Sequence, residues 1–158
     1  MKNNTFSFKM ATLNDIDQLA KMRVEFLSEL MGPQPNDKAM ALHNSLVEYF
    51  KKEIQSGDYI SWLAYEGIEL IANGGMKVMQ RPGSFRVPDG RSGYIMSMYT
   101  KPNFRKMGIG QTILSKLIET GKARGLTFFE LHATKDGEPL YKQNGFNFHP
   151  EPSYRLFI

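Results

Sequence analysis

Arg105-Lys106-Met107-Gly108-Ile109-Gly110 decides how this chain is read. A strand-like run, Tyr94-Ile95-Met96-Ser97-Met98-Tyr99-Thr100, precedes it, and a helix-like run over 111–124 follows. A basic glycine loop between a strand and a helix start has the form of an anion cradle. The first amides of a helix lack an intrahelical partner and point outward. The helix dipole adds partial positive charge at the same place, so a phosphate docks on those N–H groups. Gly108 and Gly110 let the backbone approach a ligand and adopt conformations closed to other residues.

Upstream of the loop, Phe6, Phe8 and Met10 alternate with polar residues and predict a half-buried first strand. Thr12 is placed to cap a helix, with Asp15 three residues on in the manner of a capping box. Ile16, Leu19, Met22, Phe26, Leu27 and Leu30 recur at helical spacing until Gly32-Pro33. A second helix is expected over 37–55, with Leu42, Leu46, Val47, Phe50 and Ile54 as its stripe and Gly57 as its stop. Strands follow over 59–65 and 68–80, the latter interrupted by Asn73-Gly74-Gly75, a candidate bulge. Residues 81–93 read as a long glycine- and proline-containing loop, either functional or a hairpin tip.

Downstream, Gly125 caps the helix of 111–124, and 126–133 is a strand. Residues 138–143 form a short helix closed by Asn144-Gly145, and 146–148 and 154–158 are the last strands. Seven strands and four helices in this order imply an α/β fold: a mixed sheet of about six to seven strands with about four helices on its two faces, one domain over 1–158. The length suits one domain with a substantial core.

Composition narrows the function. Hydrophobic residues are 41%, as in a globular chain, and no apolar run approaches the length that spans a bilayer. The first residues lack the apolar core of a secretion signal, which makes the cytoplasm the default location. Cysteine is absent, excluding disulfides and thiolate chemistry. The net charge of +4 is concentrated: Lys101, Arg105, Lys106, Lys116, Lys122 and Arg124 face Glu119 alone within 101–124. A local anion site explains that concentration as well as a polynucleotide does, and no aromatic-basic platform exists outside the cradle. Neither nucleic acid nor membrane is therefore the expected partner. The ten methionines fit as core filler, with Met76, Met79 and Met96 alternatively lining an acceptor pocket. Tyr59 and Trp62 read as sheet-packing residues.

Other phosphate motifs fit poorly. A P-loop needs Lys-Ser/Thr after its second glycine, where this chain has Gln111-Thr112. A dinucleotide fingerprint needs a third glycine, where Ile113 stands. By contrast, the run over 100–110 resembles the acetyl-coenzyme A loop of the GNAT superfamily of N-acetyltransferases, with its Arg/Gln-x-x-Gly-x-Gly/Ala core. A second match follows in the right order: Leu140-Tyr141-Lys142-Gln143-Asn144-Gly145-Phe146 resembles the family's closing Leu-Tyr-x-x-x-Gly-Phe motif. Two motifs about thirty residues apart, covering nearly the whole chain with the elements around them, carry more weight than either alone.

The resemblance implies a mostly antiparallel GNAT-like sheet, acetyl-CoA as cosubstrate, no metal, and direct transfer of the acetyl group to a primary amine. It implies that Met98, Tyr99 and Thr100 offer backbone groups to the pantetheine arm. It implies that Lys106, Met107, Gly108, Ile109, Gly110 and Gln111 wrap the pyrophosphate. Arg105 occupies the family's Arg/Gln position, either touching the cofactor or bracing the loop. Thr134 stands where many relatives carry an asparagine that contacts the cofactor, or it caps the short helix. Tyr141 matches the tyrosine that protonates the leaving thiolate, a task a phenol of reference pKa about 10 can perform at neutral pH. The Met98 amide is the candidate for polarising the thioester carbonyl.

The general base departs from the pattern. Relatives place a glutamate where this chain has Met96 or Phe129. Glu130 points to the opposite face of a regular strand, with His132 on the same face as Glu130; His43 and Glu25 are more remote. No base is assigned, and a water chain or an amine arriving neutral suffices. The first two helices and the loop of 81–93 are the expected acceptor site, where Glu25, Glu29 and Asp37 would attract a cationic amine. The acceptor is a small-molecule or peptide amine. Dimerisation, common among relatives, makes a homodimer an open expectation. The alternative reading is a sensor that binds acyl-CoA without turning it over.

Overall fold

The alternation of Phe6, Phe8 and Met10 produces β1 (Phe6–Met10). The structure, a computed structural model, describes residues 5–158; the first four, read above for a secretion signal, lie outside the described residues. Thr12 and Asp15 close the capping box: the Thr12 amide donates to Asp15 Oδ2 at 2.8 Å, and the Asn14 amide donates to Thr12 Oγ1 at 3.3 Å. Burial alone would raise the Asp15 carboxyl. The Lys9 ammonium at 2.7 Å and the Thr12 donors outweigh it and hold the group below its usual range. From this start run α1 (Ile16–Met31) and α2 (Asn36–Ser56), which pack against each other. Gly57, at φ 80°, ends α2 and donates its amide to the Ile54 carbonyl.

The remaining elements are β2 (Tyr59–Glu66), β3 (Glu69–Gln80), β4 (Arg91–Thr100), α3 (Ile109–Ala123), β5 (Phe129–Leu131) and α4 (Glu138–Gln143). They form one sheet in the order β1-β2-β3-β4-β5, antiparallel through β4, with β5 parallel to β4. The expected α/β class and its mostly antiparallel sheet are present, with helices on both faces. Leu19, Met22, Leu46 and Phe50 of α1 and α2 bury one face with Tyr59, Leu63 and Tyr99. Ile113, Leu114 and Leu117 of α3 bury the other with Met76, Ile95, Leu126 and Tyr141.

The sheet has five strands among the described residues, where six to seven were expected. Residues 146–148 and 154–158 join no ladder, and Phe148, Tyr154, Leu156, Phe157 and Ile158 are exposed. An apolar run with β-type side chains marks a strand only when a neighbouring ladder exists, and the outer edge of β5 is three residues long. β5 is itself shorter than the expected 126–133. Leu126 is consumed in closing α3, donating its amide to Gly121 at 3.0 Å while Gly125 donates to Lys122, a Schellman arrangement. At its other end, Thr134 starts the turn into α4. β4 begins three residues earlier than expected, because its ladder with β3 extends to Gln80↔Arg91.

The interruption foreseen at Asn73-Gly74-Gly75 lies opposite the extra residue rather than containing it. Gly75 pairs with Met96 and Asn73 with Tyr99, so Gly74 faces both Ser97 and Met98: β4 carries the bulge. Ser97 has φ 54°, the left-handed region that an L residue enters only at a cost. A Cβ at Gly74 would strike Met98 Sδ and Ile113 Cγ2, so glycine there permits the close approach of bulge and helix. Pairing of β4 with β5 covers only Gly93, Tyr94 and Ile95, which leaves Met96 through Thr100 without a strand partner on that edge.

Candidate active site

The loop from Arg105 to Gly108 reaches α3 through two left-handed residues, Lys106 at φ 62° and Gly108 at φ 78°. Such alternation turns successive amides towards one concavity. Gly108 is the N-cap of α3 and supplies no side-chain bond. The first helical bond is from the Thr112 amide to the Gly108 carbonyl at 3.1 Å. The amides of Ile109, Gly110 and Gln111 therefore have no acceptor among the described residues. Gly110 is informative in a different way. Its φ is not positive, and a Cβ there would meet only Leu140 Cδ2, at an ordinary 3.6 Å. The fold does not require glycine at that position, and a bare backbone there leaves room for a ligand to approach it. These open amides and the bare Gly110 fit a diphosphate.

Four neighbouring side chains, Arg105, Gln111, Asn144 and Thr134, fix the loop and the elements beside it. Arg105 Nε donates to the Thr100 carbonyl at 2.9 Å, Nη2 lies 2.7 Å from Glu29 Oε1, and the guanidinium sits 5.8 Å from the Tyr99 ring. Of the two roles open to Arg105, the bracing one has its contacts in place. Gln111 and Asn144 exchange two amide hydrogen bonds, joining α3 to the end of α4. Thr134 Oγ1 and its carbonyl both accept from the Gly137 amide, so Thr134 makes the capping contact of the turn into α4. Tyr99 and Ile109 are buried, so only their main chains are available to a ligand, whereas Met107 is exposed.

Tyr141 lies on the α3 side of the sheet, 9% exposed, with its ring edge-on to Phe146 at 6.0 Å. Met98 packs against the same cluster. Burial raises the Tyr141 phenol above its ordinary value, which keeps its proton in place at neutral pH. The cradle, Met98 and Tyr141 thus share one side of β4 and the gap beside it.

Of the residues weighed as bases, Glu130 and His132 lie beside β4 at Tyr94, whereas His43 and Glu25 belong to α2 and α1. Glu130, paired across the ladder with Tyr94, is engaged by Arg81. His132 Nδ1 lies 2.6 Å from the Tyr94 hydroxyl, and the His132 ring is exposed. His43 is held by Asp17 at 3.0 Å, and Glu25 is exposed on α1. Glu29 is occupied by Arg105, which removes it as a lure for a cationic amine. Sequence reasoning passed over Arg23 and Ser97: Arg23 Nη1 donates to Ser97 Oγ at 2.7 Å and so holds the strained residue of the bulge. An arginine within an otherwise apolar helical stripe was the available signal. No helix among the described residues is long and apolar enough to cross a membrane.

Comparison with known proteins gives a consistent result. The family model described as the acetyltransferase (GNAT) family matches residues 22–146. A predicted acetyltransferase from Clostridium acetobutylicum, solved with acetyl-CoA, is similar at a TM-score of 0.88 and 29% identity, covering 96% of each chain. A GCN5-related N-acetyltransferase from Ralstonia eutropha JMP134 is similar at 0.85 and 25% identity, covering 96% of this chain and 99% of that one. No curated protein matches the sequence.

Proposed function

The chain belongs to the GNAT family of acetyltransferases, enzymes that use acetyl-CoA, and from that premise we propose that it moves the acetyl group directly to a primary amine with Tyr141 as general acid. The observation that carries the reading is the set of unpartnered amides at Ile109, Gly110 and Gln111 beside a glycine the fold itself does not need. Main-chain donors from Lys106 to Gln111 hold the pyrophosphate, and the α3 dipole adds to their field. Arg105 keeps the loop in register through Thr100 and Glu29 rather than through the ligand. The pantetheine arm lies along the edge of β4 that β5 leaves uncovered, at Met98, Tyr99 and Thr100.

Bound acetyl-CoA supplies an activated acyl carbon. The Met98 amide polarises its carbonyl as charge develops on oxygen. The amine nitrogen bonds to that carbon, the carbon–sulfur bond breaks, and Tyr141 gives its proton to the departing thiolate. The amine loses its proton to water in the gap, so no side-chain base and no acyl-enzyme is needed, in keeping with a chain that has no cysteine. Thr134 holds the turn that leads into α4 rather than the cofactor. A cytoplasmic location belongs to the same proposal. Thiol release from acetyl-CoA in the presence of an amine panel tests the proposal. Turnover that survives undiminished in Tyr141→Phe removes the acid assignment, and acetyl-CoA binding without any turnover favours the sensor.

A further inference from the structure

Arg23 is a half-buried cation that lacks a counter-ion. Its guanidinium makes one bond, to Ser97 Oγ at 2.7 Å, and no carboxylate pairs with it among the described residues. Of the acids around this face, Glu53 is engaged by Lys77, Glu130 by Arg81 and Glu29 by Arg105, while Glu25 is exposed on α1 and makes no ion pair with Arg23. Three phenols, of Tyr49, Tyr59 and Tyr94, lie close enough for Arg23 to lower their pKa values, yet burial leads and keeps all three above the ordinary value. They are neutral at physiological pH and do not compensate the charge. The Tyr59 hydroxyl is fully buried and has no hydrogen-bond partner among the described residues, although it neighbours Ser97 and Arg23. A second guanidinium, that of Arg155, also acts on Tyr94.

An unpaired guanidinium among hydroxyl donors is a site for an anion. Its planar fork matches a carboxylate or phosphate through two parallel bonds, and a partly desolvated location strengthens the attraction. The position along the chain matters equally. Ser97 immediately precedes Met98, whose amide is the proposed partner of the thioester oxygen, so Arg23 is tied to the residue beside the proposed reacting position. We propose that Arg23, assisted by Ser97, Tyr59 and Tyr94, binds an anionic group of the acceptor, so that the substrate is an amine carrying a carboxylate or phosphate a few bonds from its nitrogen. This rests on the acetyl-transfer reading above and names its acceptor class.

Paired acceptors test it. The common α-amino acids are compared with their carboxamides, and aminoalkyl phosphates with the corresponding amino alcohols, by thiol release from acetyl-CoA. The first set reads carboxylate, the second phosphate. In at least one set the anionic member is expected to be preferred about tenfold or more in kcat/KM. Arg23→Gln erases that preference through KM for the acceptor and leaves acetyl-CoA affinity by calorimetry unchanged, which also shows that the variant is folded. Neutral members that serve equally well overturn the proposal, as does a preference that survives Arg23→Gln. Normal acetyl-CoA binding with turnover of no member of either set also overturns it and leaves the cofactor reading standing. Failure to bind acetyl-CoA removes the reading beneath it as well.

Discussion

Gln111 and Asn144 hold each other through two reciprocal side-chain amide bonds, each 2.7 Å long. The pair ties the first turn of α3, where the proposed cradle lies, to the end of α4, which carries Tyr141. Asn144 also donates to the Leu140 carbonyl, so three bonds converge on one part-buried amide. Gln111→Ala leaves Asn144 partly unsatisfied and should cost about 1–3 kcal/mol of stability, read from denaturant unfolding. Gln111→Leu and Asn144→Leu combined in a double-mutant cycle should show a coupling of about 0.5–3 kcal/mol. Strict additivity would mean that the two side chains act independently.

Gly110→Ala separates folding from binding. The position lies within α3, has no positive φ and has room for a methyl group. Alanine should therefore stabilise the free protein by about 0.5–1 kcal/mol, as in any compatible helix. In the same variant acetyl-CoA affinity should fall by about tenfold or more, because the methyl group meets the diphosphate. A variant that is more stable and binds equally well would show that the glycine has no part in the site.

Burial keeps the Tyr141 phenol above its ordinary pKa, so the acid form is present at neutral pH and is lost only at a pH above that at which a free tyrosine loses its proton. The kcat profile of the wild type should accordingly show no fall attributable to this group at neutral or mildly alkaline pH. Tyr141→Phe should lower kcat by about 10²–10⁴, with acetyl-CoA affinity little changed. An alkaline limb near neutrality that vanishes in Tyr141→Phe would contradict the protonation state assigned here.

Arg105 and Glu29 form an exposed pair, 40% and 43% accessible, and such pairs contribute only about 0–1 kcal/mol to stability. Their effect on function should be larger. If Arg105 braces the loop, Glu29→Gln raises the KM for acetyl-CoA nearly as much as Arg105→Gln does. If Arg105 instead contacts phosphate, Glu29→Gln is silent and only Arg105→Gln reduces the salt dependence of binding.

Local signals carried most of the fold. The capping box at Thr12 and Asp15, the apolar stripe of α3 and the stop at Gly57 each depend on neighbours within a few residues, and each is present in the structure. The elements of the proposed site were legible for the same reason: residues 105–111 form a loop and a helix start, and Tyr141 belongs to a short helix beside it. What was not legible depends on contacts between distant segments. The bulge sits at Ser97, a residue with no intrinsic preference for positive φ, and it is held there by Arg23 from α1 and admitted by Gly74 from β3. The runs over 146–148 and 154–158 have strand-like composition, but pairing is a property of the neighbour, and β5 offers only a three-residue edge. Glu29 reads as a free carboxylate in the sequence because its cation stands 76 positions away.

The central claim is that main-chain amides at the start of α3 grip a diphosphate. Calorimetry at low ionic strength with acetyl-CoA and, separately, S-acetylpantetheine tests it most directly: the two share the thioester and pantetheine arm, acetyl-CoA adds the diphosphate with its phosphorylated adenosine, and Gly110→Ala isolates the share that falls on the main-chain amides. Acetyl-CoA should bind about 100-fold or more tightly than S-acetylpantetheine, and Gly110→Ala should narrow the gap. Equal affinities, or no heat of binding with acetyl-CoA for the folded protein, would contradict it.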